Sequence, residues 1–351
     1  METQRNESLD FAAVLCFLLV IAAFYFTTSA TLSAPQVIGA DWYYHIELSK
    51  ILLSQGFFQA CNYNLQHISY PYGFFGFQLL ILGPSVIMGQ TQLYSRILQI
   101  LLLPTTFTLV LWVTAKQGGS KAAFIAGIML LGCWSFVDGA FQVRPESLDL
   151  LLFPLIVLAL MSTRKKTFAG LSALSIYSHG PAAFSNIYGL AANRLRQKSW
   201  RKTILLTLLI VFPVLAISAW YITGALNFWG HQTATSNPQE LAFWQTPLNF
   251  IPNYMGATMI GIPFLFRRGK TGFESLLTWG VAGSLLMLPL WADRWLQYIS
   301  IPLAMLAGVG ISRMSKLKQT LIIVVLFIVF AFYYITFMSV SFSHLWWQPT
   351  A

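Results

Sequence analysis

The sequence predicts an all-α, polytopic membrane protein that forms one domain over residues 1–351. Hydrophobic residues make up 56% of the chain and charged residues 9%, whereas a soluble protein carries about 25% charged residues. Apolar runs that reach the roughly 20 residues needed to cross a bilayer recur along the chain. Because no long hydrophilic stretch interrupts these runs, we expect no separate soluble domain.

The basic residues lie in short clusters between the apolar runs, which is typical of cytoplasmic loops. The net charge of +10 therefore does not indicate nucleic acid, and we expect no such partner. The clusters lie at 116–121, 164–166, 194–202, 267–270 and 313–318. If all five are cytoplasmic, the chain has about eleven spans and a cytoplasmic N-terminus.

The first element is the apolar run Phe11–Leu32, which is long enough to span a membrane as a signal anchor. The outer loop that follows, residues 33–95, begins with the stretch IGADWYYHIELSK at 38–50. Apolar residues after Asp41 recur at spacings compatible with an amphipathic helix lying on the membrane. Residues 70–90 are apolar but broken by glycines and a proline, so we expect a membrane-dipping segment with irregular backbone, not a crossing.

The later spans follow from the apolar runs between the basic clusters. They are predicted at 97–115, 121–137, 148–163, 167–178, 181–193, 203–225, 249–266, 273–290, 296–312 and 319–340. On this topology all but four of the 21 basic residues are cytoplasmic, and the exceptions are Lys50, Arg96, Arg144 and Arg294. The three arginines lie at predicted ends of spans, where ionisable residues are costly and usually functional. We expect them to converge near Asp41.

Asp41 opens the amphipathic helix and allows two interpretations. In the first it is an N-cap, followed by interfacial aromatic residues that include Tyr44. In the second it takes a proton from an acceptor hydroxyl, or together with His45 it holds a metal or the acceptor.

The stretch VRPES places Arg144 and Glu146 at the start of a span. A helix start favours Pro145 at its first position and an acid in its first turn. A cation there is mildly unfavourable, so we expect Arg144 to bind a phosphate or to pair with an acid such as Glu146, Asp149 or Asp41.

Two further polar stretches lie at predicted ends of spans. His179, at the apex of the turn SHGP, is either a hydrogen-bonded structural histidine or a donor to a lipid phosphate. In DRWLQY, Asp293 and Arg294 form an interfacial neighbour pair, or Arg294 clamps a phosphate with its planar guanidinium. Tyr298 lies one helical turn after Arg294.

These motifs, in this order, resemble the GT-C superfamily of glycosyltransferases that use polyprenyl-phosphate sugars, such as protein mannosyltransferases and aminoarabinose transferases. DWYYH is similar to the acidic first-loop motif of that superfamily, YPYGFF to its Tyr-Pro-Pro-Leu segment, and YSRILQ to the start of its Arg-Leu-Pro-Ser-Ala span. VRPES resembles Arg-Pro-Asp-Ser, and SHGP resembles Thr-Lys-Gly-Pro. DRWLQYISIPLAMLAG is similar to the Arg-Tyr-Leu-Leu-Pro stretch near the end of the membrane domain.

The resemblance implies an inverting transfer of one sugar from a polyprenyl or dolichyl phosphate to a glycan, lipid or protein acceptor outside the cytoplasm. It implies catalytic roles for Asp41, His45 and Glu146, and binding of substrate or lipid phosphate by Tyr44, Arg96, Arg144, His179, Arg294 and Tyr298. The first loop has one aspartate where many relatives have an acidic pair, so a divalent metal such as Mg²⁺ or Mn²⁺ at Asp41 is left open. A flippase for lipid-linked sugars and a catalytically silent subunit are the alternatives.

Overall fold

The computed structural model describes most of the chain. The described residues are 10–39, 42–68, 75–179, 187, 189–195, 197–213, 216, 255–285 and 292–333. Within them, the backbone alone is described at 64–68, 292–296, 327 and 329–333. Asp41 therefore lies outside the described residues, and of Arg294 only the place in a helix is known.

The described secondary structure is helical, as the composition predicts. The helices are α1 (Phe11–Ser33), α2 (Trp42–Gln55), α3 (Phe57–Ile68), α4 (Gly83–Ile87), α5 (Thr91–Leu131), α6 (Trp134–Phe141), α7 (Pro145–Met161), α8 (Lys165–His179), α9 (198–213), α10 (Gly272–Leu285), α11 (Ala292–Ser312) and α12 (Lys316–Tyr333). By length and composition, α1 and α5 are long and apolar enough to cross a membrane. The larger count of about eleven spans stays a prediction.

Helix α1 presents two different faces. Toward α5 it buries small residues such as Ala23 and Thr27, and the Thr27 hydroxyl donates a hydrogen bond to the Ile100 carbonyl at 3.0 Å. On the outer face Phe17 is 64% exposed and Tyr25 is 73% exposed. An apolar face of this kind needs lipid or another apolar partner, which fits the predicted membrane anchor.

Helix α5 consists of two helices joined at Gly119. The φ of Gly119 is 81°, in the left-handed region that favours glycine. This break lies between the two spans predicted at 97–115 and 121–137. The second of these predicted spans runs through the last part of α5 and is interrupted again where α6 begins at Trp134.

The contact between α5 and α11 forms the centre of the core. Gly308 of α11 faces Ala122 and Ala126 of α5, and all three residues are small. A Cβ added at Gly308 would lie 2.3 Å from the Ala122 carbonyl oxygen. Small residues therefore let the two helix backbones approach closely, as they do in membrane helix pairs.

One predicted span forms a 3-10 helix where an α-helix was expected. Residues Gly256–Phe266, the described part of the span predicted at 249–266, form a 3-10 helix with Pro263 inside it. Proline removes one backbone donor and disfavours a continuous α-helix, which is consistent with the departure. At about 2.0 Å per residue, these eleven residues extend about 22 Å.

Helices α7 and α8 form a hairpin that positions charged residues at one end. Arg144 is the N-cap of α7, Pro145 is its first residue and Glu146 lies in its first turn, as predicted. The first turn of α7 contacts His179, the last residue of α8, so the two helices are antiparallel. The residues predicted to be functional in VRPES and SHGP therefore meet in space.

The first outer loop packs against the same end of this hairpin. A helix is present where the amphipathic helix was predicted, as α2, and a break at Gly56 separates it from α3. Its position on the membrane surface stays a prediction. A π-helical turn, Gln78–Leu82, leads into α4. These ten residues extend about 15 Å, half the thickness of a hydrocarbon core of about 30 Å. That residues 70–90 do not cross the membrane stays a prediction. A Cβ at Gly76 would lie 2.9 Å from the Tyr177 carbonyl oxygen, so this segment touches the end of α8.

Candidate active site

A network of buried polar side chains lies where α6, α7, α8 and α11 meet. We call it the buried network, and it comprises Asp138, Arg144, Glu146, Asp149, His179 and Tyr298. Glu146 and Asp149 are three residues apart on α7, which places them on one face of the helix. His179 comes from the end of α8 and Tyr298 from the first part of α11.

His179 lies between the two carboxylates of α7. Its Nδ1 is 3.1 Å from Asp149 Oδ2 and its Nε2 is 3.4 Å from Glu146 Oε1. The side chains are 6% exposed for His179 and 1% for each acid. Because both ring nitrogens face carboxylate oxygens, the imidazolium form, which has two N–H donors, suits this position best.

Tyr298 closes the same group from α11. Its hydroxyl donates to Asp149 Oδ2 at 2.8 Å and lies 2.6 Å from His179 Nδ1. Since the tyrosine proton goes to Asp149, its oxygen is the acceptor for the histidine N–H. Ser175 donates to the other oxygen of Asp149 at 2.5 Å, so both oxygens of this buried carboxylate are bonded, as buried polar groups require.

Arg144 connects this group to α6. Its Nη2 donates to Asp138 Oδ2 at 3.0 Å, and its Nε is 3.9 Å from Glu146 Oε2. The arginine side chain is 11% exposed and that of Asp138 is 16% exposed. Arg144 is therefore held by two acids near the edge of the buried network.

The chain segment before Asp41 also reaches this edge. Gln142 donates from Nε2 to Asp138, and a Cβ added at Gly39 would lie 3.3 Å from Gln142 Oε1. The backbone around Gly39 is fixed from the other side by Gln99, which bonds both the N–H and the carbonyl of Ile38 at 3.2 and 2.7 Å. The last described residues before Asp41 thus lie against a partner of the buried network.

His45 and Tyr44 lie in a second cluster, on α2. His45 is buried, its Nδ1 is 2.8 Å from Gln78 Nε2, and its ring lies edge-on to Phe77. Because the amide nitrogen is a donor, Nδ1 accepts and the proton of a neutral ring lies on Nε2. Tyr44 stacks on Tyr63 of α3. These contacts attach the start of α2 to the neighbouring segments of the outer loop.

Arg96 has a different location from the one expected. Its guanidinium donates to the carbonyl of Ala34, just after the end of α1. Cations near the C-terminal end of a helix interact favourably with its carbonyls. Among the described residues Arg96 thus joins α1 to α5 and is not part of the buried network.

The structure brings four of the nine predicted site residues together: Arg144, Glu146, His179 and Tyr298. Tyr44, His45 and Arg96 lie elsewhere. Asp138, Asp149, Ser175 and Gln142 belong to the site but were not predicted as site residues. The spacing of Glu146 and Asp149, three residues apart on one helix face, is the signal that could have identified Asp149. Nothing local in the sequence distinguishes Ser175 from other serines.

The described residues do not fit a metal site. No group of three histidine, cysteine or acidic side chains with suitable geometry occurs among them, and the acids of the buried network are bonded to Arg144, His179 and Tyr298. Asp41, for which a metal was left open, is outside the described part of the chain. A metal at Asp41 thus stays a prediction.

The fold resembles that of solved structures of the protein ArnT. No protein-family model and no curated protein matches the sequence. The structure of ArnT from Cupriavidus metallidurans bound to undecaprenyl phosphate has a TM-score of 0.57 and 16% identity to this chain. The alignment covers 89% of this chain and 63% of the ArnT chain. The apo structure of the same protein gives a TM-score of 0.56, 15% identity, and 88% and 62% coverage.

At this identity the likeness shows the fold alone. The described residues form an all-helical architecture like that of ArnT, which agrees with the all-α fold class expected from the sequence. The chain spans less than two thirds of the length of these ArnT structures.

Proposed function

We propose that this chain is an inverting glycosyltransferase of GT-C type. It moves one monosaccharide from a polyprenyl or dolichyl phosphate to a glycan, lipid or protein acceptor on the non-cytoplasmic face of the membrane. The buried network is the observation that carries this proposal. Ionisable residues inside an apolar helical fold are costly and usually functional. The likeness to an ArnT structure that holds undecaprenyl phosphate supports a polyprenyl phosphate as the donor lipid.

The reaction places negative charge on the phosphate that leaves the sugar. Fixed donors and cations in a site of low dielectric stabilise such charge without reorganising. Arg144 is suited to this, because Asp138 and Glu146 hold its guanidinium in one orientation. The three described carboxylates of the buried network outnumber its two basic residues, so a phosphate needs a further cation, and Arg294 is our candidate.

Asp41 is our candidate for the general base. It takes the proton of the acceptor hydroxyl, whose oxygen forms the new bond to the sugar carbon. The bond from that carbon to the phosphate oxygen breaks, and the lipid phosphate leaves with the electron pair. The contact of Gly39 with Gln142 supports this role, because it brings the chain to the edge of the buried network two residues before Asp41.

The remaining residues are positioning residues in this proposal. Glu146 and Asp149 hold the ring of His179 between them. Both ring nitrogens are engaged there, so His179 acts on the donor phosphate through its charge and not through a hydrogen bond. Tyr298, on α11, contacts both Asp149 and His179 and so holds this pair in place. His45, through its bond with Gln78, orients the start of α2 and hence the approach to Asp41.

The test is sugar transfer from a panel of radiolabelled polyprenyl-phosphate monosaccharides to membrane extract by the purified chain. Asp41→Asn should lower transfer at least about 100-fold, the usual contribution of a general base. Glu47→Gln is the matched control, because Glu47 lies in the same outer loop, is exposed and pairs with Lys50, and this variant should remain active. Full activity of Asp41→Asn would exclude the base assignment. Saturable lipid binding without transfer from any donor would instead indicate a flippase or a silent subunit.

A further inference from the structure

The end of the α7–α8 hairpin opposite the buried network contains a basic cavity. It has a volume of about 570 Å³ and is lined by the turn between α7 and α8 and by the start of α9. We call it the basic cavity, and its principal lining residues are Arg164, Lys165, Lys166, Thr167, Ser199 and Trp200. A volume in this range is typical of a site for a small ligand and exceeds what a single ion needs.

The cations of the basic cavity differ from the other cations nearby. Arg194 donates to the Leu160 carbonyl at 3.1 Å, and Arg201 donates to the Leu195 carbonyl at 2.9 Å. Arg164 and Lys166 have neither a hydrogen bond nor an ion pair from their side chains within the described part of the chain. They are therefore available to a ligand from outside.

No described carboxylate neutralises the basic cavity. Glu274 pairs with Arg313 at 2.9 Å and with Arg267 at 3.7 Å, and the other paired acids belong to the outer loop or to the buried network. Three adjacent basic side chains around one cavity repel one another unless an anion lies between them.

The wall of the basic cavity is amphipathic. Trp200 is 1% exposed and lies edge-on to Phe168 at 5.7 Å. The Nζ of Lys165 lies 5.9 Å from the centre of the Trp200 ring, within the reach of a cation–π contact. Thr167 and Ser199 add hydroxyl groups. Such a site can hold an anionic group between the cations and the hydroxyl groups, with the buried indole as part of its wall.

We propose that the basic cavity binds an anionic phosphate group, carried by a membrane phospholipid or by a soluble phosphate ester. The cavity is separated from the buried network by the length of α7, whose 17 residues extend about 25 Å. This is close to the thickness of a hydrocarbon core. If the hairpin crosses the membrane, the cavity lies at the level of the lipid headgroups on the opposite face. It is therefore distinct from the donor site and does not depend on the proposed transfer reaction.

The binding experiment compares two triple variants of the full chain in neutral detergent. Arg164→Gln/Lys165→Gln/Lys166→Gln removes the cations of the basic cavity. Arg268→Gln/Lys316→Gln/Lys318→Gln is the matched control, because it removes the same charge from exposed positions outside the cavity. Affinities are measured for phosphatidylglycerol, phosphatidylcholine and glycerol 3-phosphate.

The wild type should bind phosphatidylglycerol saturably and more tightly than phosphatidylcholine. At about 1 kcal/mol per basic residue, the cavity variant should bind about 100-fold more weakly, while the control stays within about threefold of wild type. Loss confined to phosphatidylglycerol would identify a lipid headgroup as the source, and the same loss for glycerol 3-phosphate would identify a soluble ester. Equal losses in both triple variants, or no preference of the wild type for any of the anionic phosphates, would overturn the proposal.

A second variant keeps the three cations and fills the space. Thr167→Trp should weaken phosphate binding if the cavity itself holds the ligand, and should leave it unchanged if only surface charge attracts it. This variant decides the question if the triple variant does not fold.

Discussion

At the scale of single residues, Arg144 is the cation that joins the buried network to α6, because it lies against two acids from different helices. Arg144 was expected to bind a phosphate or pair with an acid, because a cation at a helix start is unfavourable. The structure gives it two acids, of which Glu146 was foreseen and Asp138 was not. Asp138 is six residues earlier in another helix, and only the turn from α6 to α7 brings it to Arg144. The pattern of residue types in the sequence does not predict the direction of that turn.

Arg144 and Lys50 provide a matched comparison of a buried and an exposed ion pair. Arg144→Gln leaves the nearly buried Asp138 without a cation and leaves Glu146 with His179 alone, so the variant should lose about 3–5 kcal/mol of stability. Lys50→Gln breaks the pair with Glu47, whose side chains are about half exposed, and should cost less than about 1 kcal/mol. Unfolding of both variants in detergent, followed without donor, measures the difference. Equal stabilities would mean that the Arg144 pairs are solvated in the protein.

At the scale of helices, long apolar runs allowed α1, α5, α7 and α11 to be predicted close to their observed positions. The break at Gly119 lies between the two spans predicted at 97–115 and 121–137. The 3-10 helix Gly256–Phe266 was not predicted, and it arises in a segment that contains Pro263. Hydrophobicity alone gives the length of an apolar run, but not whether its backbone is α-helical throughout.

The contact between α5 and α11 predicts a cost for the smallest possible substitution. Gly308→Ala places a Cβ 2.3 Å from the Ala122 carbonyl oxygen, so the helices must move apart, at a cost of about 1–3 kcal/mol. Gly170→Ala in α8 is the control, because a Cβ there meets nothing within 4 Å. That variant should gain up to about 1 kcal/mol from helix propensity. Thermal unfolding in detergent should therefore shift in opposite directions for the two variants, and a shift in the same direction would contradict the close packing.

At the scale of the whole molecule, charge is divided between the two ends of the α7–α8 hairpin. The buried network at one end contains three acids, and the basic cavity at the other end is lined by Arg164, Lys165 and Lys166. The same asymmetry was the basis for orienting the chain from its sequence, because short cytoplasmic loops are rich in lysine and arginine. The fold agrees with this division, and it predicts that the two ends of the hairpin lie on opposite faces of the membrane.

Single cysteines at the two ends would determine the orientation. In a background with Cys16, Cys61 and Cys133 replaced by serine or alanine, Ser199→Cys marks the exposed rim of the basic cavity and Lys50→Cys marks the exposed face of α2. A membrane-impermeant maleimide added to intact cells should label Lys50→Cys, and it should label Ser199→Cys only after the membrane is opened. This result follows if the basic cavity faces the cytoplasm and α2 lies on the side where the transfer reaction is proposed. Labelling of both cysteines in intact cells would show that the α7–α8 hairpin does not cross the membrane. The reverse pattern would place the buried network on the cytoplasmic side and exclude a donor site on the outer face.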